Sequence, residues 1–364
     1  MNAIKRIFQM YGAQYLERYG DRMPKVHKKV IHDIVNCRSG SFGTLVYRCQ
    51  KCQTTHTLSC CCGNRHCPSC QHDKMDQWLQ NQMEKLLPTH YFLLTITLPE
   101  GLRRPCRSNQ KIVYASLFSS AHEALKKLAK DKRFIGSSRI GYLAVLHTWG
   151  NMLQYHPHIH LVVPGGALNQ RKDQWLPSRE DLFVHTKPLA VIFKAKFKDA
   201  MEKAKLLDEI DPHVWKQKWI IDSQAVGKGQ NSLRYLSRYV FRVAISNNRI
   251  KSFENNRVKF LYKDREKKTW KTMTVDAMEF IRRFLQHVLP KGFMKIRHFG
   301  FLNPNSKLSI ENIRELISLI KKVIEEFLPE PTYKNWGIKC NVCGHELKFI
   351  IFVAPFSRWG PMSI

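Results

Sequence analysis

Acidic side chains are scarce in this 364-residue chain: 29 Asp and Glu stand against 60 Lys and Arg, leaving a formal net charge of +31. No constellation of carboxylates emerges that would support a strand transferase built on an acidic triad. So large a positive excess implies a polyanionic partner, nucleic acid first. Long apolar runs are also missing. None approaches the ~18 residues of a membrane span, no basic amphipathic anchor stands out, and residues 1–11 lack the apolar core and cleavage site of a signal peptide. A membrane is therefore not an expected partner, and the cytoplasm is the expected compartment. Two chemistries are excluded by incomplete motifs. Gly227-Lys228-Gly229 lacks the full spacing of a phosphate-binding loop, and Cys67-Pro-Ser-Cys70 is not preceded by the His-x-Glu element of a zinc deaminase.

What is present is a folded composition, 43% hydrophobic and 11% aromatic, in a chain long enough for two or three modules with cores of their own. Eleven cysteines would point to disulfides in a small secreted protein. Here most of them fall in tight CxxC-bearing groups, which metal explains better. Cys49 and Cys52 are followed after fourteen residues by Cys67 and Cys70, close to the zinc-ribbon spacing in which two knuckles give four thiolates to one tetrahedral zinc. Cys37, Cys60, Cys61, Cys62, His56 and His66 either complete a second zinc site or are buried thiols and packed imidazoles. With all four ligands from protein, the module is structural, and its lysines and arginines point to DNA contact. Cys340 and Cys343 with His345 make half a knuckle whose other ligands are not evident.

Apolar spacing predicts helices over residues 1–36, broken at Pro24, and near 78–87, 109–130, 178–208, 276–288 and 309–327; strands are expected at 91–98, 142–149, 215–222, 258–262 and 269–275. The centre of the pattern is Tyr155-His156-Pro157-His158-Ile159-His160-Leu161-Val162-Val163-Pro164. Its period of two argues for a half-buried strand with His158 and His160 on one face, ~6.6 Å apart along the strand. That is close enough to share one metal ion, although two ordinary edge-strand histidines would read the same. His156 has the same parity but lies ~13 Å from His160 and is left out of the ligand set. The loop back to residues 142–149 is short enough for antiparallel pairing, which makes His147 a candidate third ligand or else a histidine that merely packs. Downstream, Tyr235 and Tyr239 stand four apart on a helical pattern with Arg234, Arg238 and Arg242 as the adjoining stripe. Tyrosine hydroxyls can attack phosphodiesters and the arginines can hold the flanking phosphates; two packed tyrosines beside a solvated basic face is the plainer alternative.

The order of a cysteine-rich N-terminal module, His158-Ile-His160, and a Gly-Lys-Gly loop leading into Tyr235-Leu-Ser-Arg-Tyr-Val-Phe-Arg-Val-Ala-Ile-Ser246 resembles the two-tyrosine rolling-circle transposases of bacterial insertion sequences. These are HUH endonucleases, named for a His-hydrophobic-His motif. One departure is Thr44-Leu45 before Cys49, where a glycine and a histidine would be expected. The resemblance implies an α+β fold with a ferredoxin-like antiparallel sheet flanked by helices. It divides the chain into a helical and zinc-binding, DNA-binding module (1–87), a catalytic domain with the histidine strand and tyrosine helix (88–250), and a C-terminal α/β extension (251–364). It implies Mg²⁺ or Mn²⁺ on His158, His160 and a third side chain, for which His147 fits, one or two structural Zn²⁺, and Tyr235 and Tyr239 as nucleophiles. Lys228, Arg234, Arg238 and Arg242 would contact DNA. The substrate would be single-stranded or hairpin-extruded element ends and target, in a bacterial, nucleoid-associated protein compatible with a homo-oligomer. Bases could stack on Trp149 or Trp175, for both of which core packing is the competing expectation. Two rivals share these motifs: a plasmid replication initiator or relaxase with the same nicking chemistry, and a zinc-dependent DNA-binding regulator without catalysis.

Overall fold

A computed structural model of the chain describes residues 2–231, 233–234, 244–264, 267, 269–320 and 337–355, with the side chains of 71–74 and 320 left aside. In chain order the described elements are α1 (Ala3–Tyr19), α2 (Lys25–Asn36), β1 (Thr44–Cys49), β2 (Thr55–Ser59), α3 (Pro68–Met83), β3 (Tyr91–Thr97), α4 (Arg103–Ser108) and α5 (Gln110–Ala129). Next come β4 (Tyr142–Trp149), β5 (Tyr155–Pro164), β6 (Gly166–Leu168), β7 (Trp175–Pro177), α6 (Thr186–Lys203), α7 (His213–Lys216) and β8 (Ile221–Ala225). The last are β9 (Ile250–Glu254), β10 (Arg257–Lys263), β11 (Trp270–Asp276), α8 (Ala277–Leu285), β12 (Ile296–Phe299), α9 (Ile310–Ile320) and β13 (Leu347–Val353). The architecture is α+β with antiparallel sheets. Among the described residues no helix is long and apolar enough to cross a membrane.

The principal sheet has the order β12-β4-β5-β3-β8 with every neighbour antiparallel, so the histidine strand β5 is central. Its two faces differ because alternate side chains point to opposite sides. Ile159, Leu161 and Val163 join Phe92, Leu94 and Ile96 of β3 against Leu117, Phe118, Ala121 and Leu125 of α5 and Phe193 and Phe197 of α6. Each such buried apolar side chain contributes roughly 1.5–3 kcal/mol, and this layer fixes the pleat of β5. The opposite face carries His158, His160 and Val162, with Val162 packed among Tyr91, Leu143, Val145, Leu86 and Leu233.

The N-terminal helices share a core with a distant part of the chain. Ile4, Ile7 and Phe8 of α1 and Val30, Ile31 and Ile34 of α2 pack with Val258 and Phe260 of β10 and Phe280, Ile281 and Phe284 of α8. Phe8 and Phe284 meet edge to face, 5.1 Å between centroids. Caps set both helices: the Asn2 side chain accepts from Lys5 N at 3.0 Å, and Asp276 accepts from Met278 N at 2.8 Å. A separate sheet, β13-β1-β2, joins the two ends of the described chain.

The spacing that predicts a strand over 215–222 is not realised as one. Residues 213–216 turn as α7 and the strand begins at Ile221, because Trp215 and Trp219 stack on each other and Trp219 packs against Phe193 and Phe197 of α6.

Candidate active site

Antiparallel pairing of β4 with β5 sets His147 directly opposite His158, and His160 follows two residues on, on the same face. The three rings lie 5.3 Å (147 to 158), 4.7 Å (147 to 160) and 5.0 Å (158 to 160) apart between centroids. One nitrogen from each comes within 4.8 Å of the others. Two neighbours orient the rings. Nδ1 of His158 stands 2.8 Å from the backbone oxygen of His156; a carbonyl only accepts, so this nitrogen donates and Nε2 is the one left to face a metal. Nδ1 of His160 lies 3.0 Å from Oγ1 of Thr95 on β3. Burial, with a smaller contribution from the His158 charge, pushes His160 down to about 3, so its imidazole is neutral at physiological pH. Three convergent imidazoles fit a divalent cation with positions left open for other ligands.

Sequence reasoning sets His156 aside as a ligand, which agrees with its absence from the cluster, but misses the part played by its backbone carbonyl. It also misses Thr95, which no spacing rule reveals and which becomes visible only through the register Thr95↔His160 between β3 and β5. Behind the site, Trp149 stacks on His147 at 4.9 Å and 25°, with Lys295 Nζ 5.7 Å from the indole centroid. The ammonium of Lys295 is pushed down to about 7 by burial and then by the Arg65 charge. Trp175, the other tryptophan considered for base stacking, is fully buried against Phe301 and belongs to the core.

The Gly227-Lys228-Gly229 turn is fastened to β3: Val226 N donates to Tyr91 O at 2.8 Å, and Tyr91 N donates to Gly227 O at 2.7 Å. Gly229 has φ +80° and lies against the Tyr91 ring, where a Cβ would collide. From this turn Leu233 N donates to Gly229 O at 3.0 Å, and the Leu233 side chain packs with Val145 and Val162. Val145 is the register partner of His160. Leu233 therefore lies on the histidine-bearing face of the sheet. Lys228 and Arg234 are exposed there; Tyr235, Tyr239, Arg238 and Arg242 lie outside the described residues.

The four cysteines expected to share one zinc do not converge. Cys67 and Cys70 group with Cys37 and Cys62, and Cys49 and Cys52 group with Cys340 and Cys343. The reason is topological. Cys67 caps the start of α3 and Cys70 lies in its first turn, packed in the core of α1 and α2, whereas Cys49 ends β1, the strand that pairs with β13. In the first group Cys70 Sγ lies 3.5 Å from both Cys37 Sγ and Cys62 Sγ. A tetrahedron with Zn–S of about 2.3 Å has edges of about 3.8 Å, so the spacing fits a tetrathiolate zinc. Hydrogen bonding with Cys62 lowers the Cys67 thiol to about 5, while burial pushes Cys70 up to about 12. Cys60 and Cys61 join neither group.

Comparison with known proteins gives a consistent result. Residues 7–98 match a family model described as "Transposase zinc-binding domain", and residues 141–309 match one described as "Putative transposase". The chain is similar to "Putative transposase y4qJ" of Sinorhizobium fredii, with 36% identity over 86% of this chain and 83% of the relative. It is also similar to "Transposase for insertion sequence element IS801" of Pseudomonas savastanoi pv. phaseolicola, with 28% identity over 80% of this chain and 73% of the relative. No solved structure matches.

Proposed function

The chain belongs to the IS91/IS801 family of insertion-sequence transposases, and from that premise we propose that it nicks and rejoins single-stranded DNA at element ends through a 5′-phosphotyrosine. The observation that carries this reading is the triad His147, His158 and His160 on the central strands of the sheet, with Leu233, two residues before Tyr235 in sequence, packed on the same face. In this reading the sheet is the ferredoxin-like core of an HUH endonuclease, and His147, His158 and His160 would hold Mg²⁺ or Mn²⁺. When bound, the ion supplies Lewis-acid polarisation of a nonbridging phosphate oxygen and neutralises charge growing in the transition state.

The side chains do the rest. A tyrosine oxygen attacks phosphorus in line as its hydroxyl gives up a proton; the new O–P bond replaces the P–O3′ bond, and the departing 3′-oxygen takes up a proton to leave as a free 3′-hydroxyl. One phosphate ester is exchanged for another, so the later attack of a 3′-hydroxyl on the phosphotyrosine rejoins DNA without ATP and returns the tyrosine. Two tyrosines let one hold the donor strand while the other acts on the second end or the target. Lys228, Arg234, Arg238 and Arg242 hold the flanking phosphates. In-line access to the phosphorus favours a single-stranded or hairpin substrate over a regular duplex. The Cys37, Cys62, Cys67 and Cys70 group, inside the matched zinc-binding domain, binds a structural Zn²⁺.

The test is cleavage of an oligonucleotide carrying the element end, single-stranded or duplex, in Mn²⁺. Single-strand nicking that yields a 3′-hydroxyl and disappears in His158→Ala/His160→Ala is expected. Cleavage that survives in that double variant, or that requires duplex DNA, would overturn the reading.

A further inference from the structure

Two cysteine knuckles 291 residues apart have the same backbone. Cys49 N donates to Thr54 O at 2.9 Å and Cys49 O accepts from Gln53 N at 3.0 Å; Cys340 N donates to His345 O at 2.8 Å and Cys340 O accepts from Gly344 N at 2.9 Å. The residue after each second cysteine lies in the left-handed region, Gln53 at φ 59° and Gly344 at φ 72°. A glycine adopts this conformation freely, but a glutamine does so at a cost that the turn must justify. The turns face each other: Cys49 Sγ is 3.4 Å from Cys343 Sγ, and Cys52 Sγ is 3.5 Å from Cys340 Sγ and 3.6 Å from Cys343 Sγ. All four sulfurs lie within 4.8 Å of one another, against the edge of about 3.8 Å of a zinc tetrathiolate.

We propose that Cys49, Cys52, Cys340 and Cys343 bind a second zinc ion, which locks the C-terminal strand β13 onto the N-terminal sheet and builds the zinc module from both ends of the described chain. Cys340 and Cys343 lie beyond both matched family regions. Around the sulfurs sit donors suited to thiolates: Val342 N donates to Cys340 Sγ at 3.4 Å, Thr54 Oγ1 is 3.2 Å from Cys52 Sγ, and His56 Nε2 is 3.3 Å from Cys340 Sγ. With four thiolates already converged, His56 serves as an outer hydrogen-bond donor, of the kind that tunes a metal site from its second layer. The metal also answers a question of stability. β13 runs antiparallel to β1 from Cys49↔Leu347 to Thr44↔Val353, yet Phe349, Ile351 and Phe352 stay 49%, 54% and 48% exposed. Burial holds this strand weakly, and the ion supplies the closure that burial does not.

The proposal does not depend on the nicking chemistry, because its readout is metal and thiol protection. Full-length protein purified without chelator should carry two zinc ions per chain by plasma mass spectrometry. Cys340→Ser/Cys343→Ser should carry one. Cysteine alkylation of the wild type needs no variant: Cys49, Cys52, Cys340 and Cys343 should resist iodoacetamide together and become reactive together when a chelator removes the metal, while exposed Cys61 reacts throughout as the reference. One zinc per chain, with Cys340 and Cys343 alkylated as fast as Cys61, would overturn the proposal.

Discussion

Single atoms around the histidine triad decide how it works, and the clearest is the Thr95 hydroxyl. It holds Nδ1 of His160 at 3.0 Å without touching the site where a cation would sit. Removing an outer hydrogen bond of this kind typically weakens metal affinity by about 10–100-fold. Thr95→Val is therefore expected to weaken Mn²⁺ binding by that factor in a calorimetric titration, with zinc content unchanged; undiminished affinity would show that the hydroxyl does not position His160. Buried histidines away from the metal ligands give a pH signature. Burial pushes His287 down to about 3 and His27 down to about 4, the latter with help from the Arg107 charge. Both are neutral in the fold but titrate near 6.5 when unfolded, so the unfolded chain binds more protons between those values. Their contribution is complete above about pH 6.5 and is lost as pH falls toward 4 and then 3. The melting temperature should drop over that window in scanning calorimetry; a flat profile would contradict the assignment.

At the scale of elements, period-two patterning locates β5 and a short run of β-formers locates β4, because one face of each packs on a helical layer and the other is closed by the histidine cluster. The pairing that sets His147 opposite His158 follows from a short connecting loop. Cysteine partnership was not legible in the same way. CxxC spacing identifies knuckles, but which two share an ion depends on strand β1 finding β13 across nearly the whole chain, and local spacing contains no trace of that. Nor does a stretch with alternating tryptophans become a strand when α6 offers those indoles a better surface. Gly229 offers an element-scale prediction. Its φ of +80° and its contact with the Tyr91 ring mean that Gly229→Ala should cost about 1–3 kcal/mol and displace the start of the tyrosine segment. Nicking should fall well beyond what the lost stability, measured by urea unfolding, explains. A loss of nicking that merely tracks the unfolded fraction would count against a positioning role for the turn.

Across the whole molecule, the charge of +31 sets how DNA is held. For a single strand each neutralised phosphate contributes about −0.7 to the slope of log affinity against log salt. If the four basic residues at the tyrosine segment each hold a phosphate, the slope is about −3 or steeper, and charge-reversing Arg234→Glu should flatten it by about one contact. The central claim, though, is covalent. Wild-type protein should be incubated with a single-stranded oligonucleotide of the element end and Mn²⁺, digested, and the DNA-linked peptide sequenced by mass spectrometry. The account predicts a 5′-phosphate ester on Tyr235 or Tyr239, absent when both are changed to Phe; no covalent adduct, or an adduct on any other residue, would contradict it.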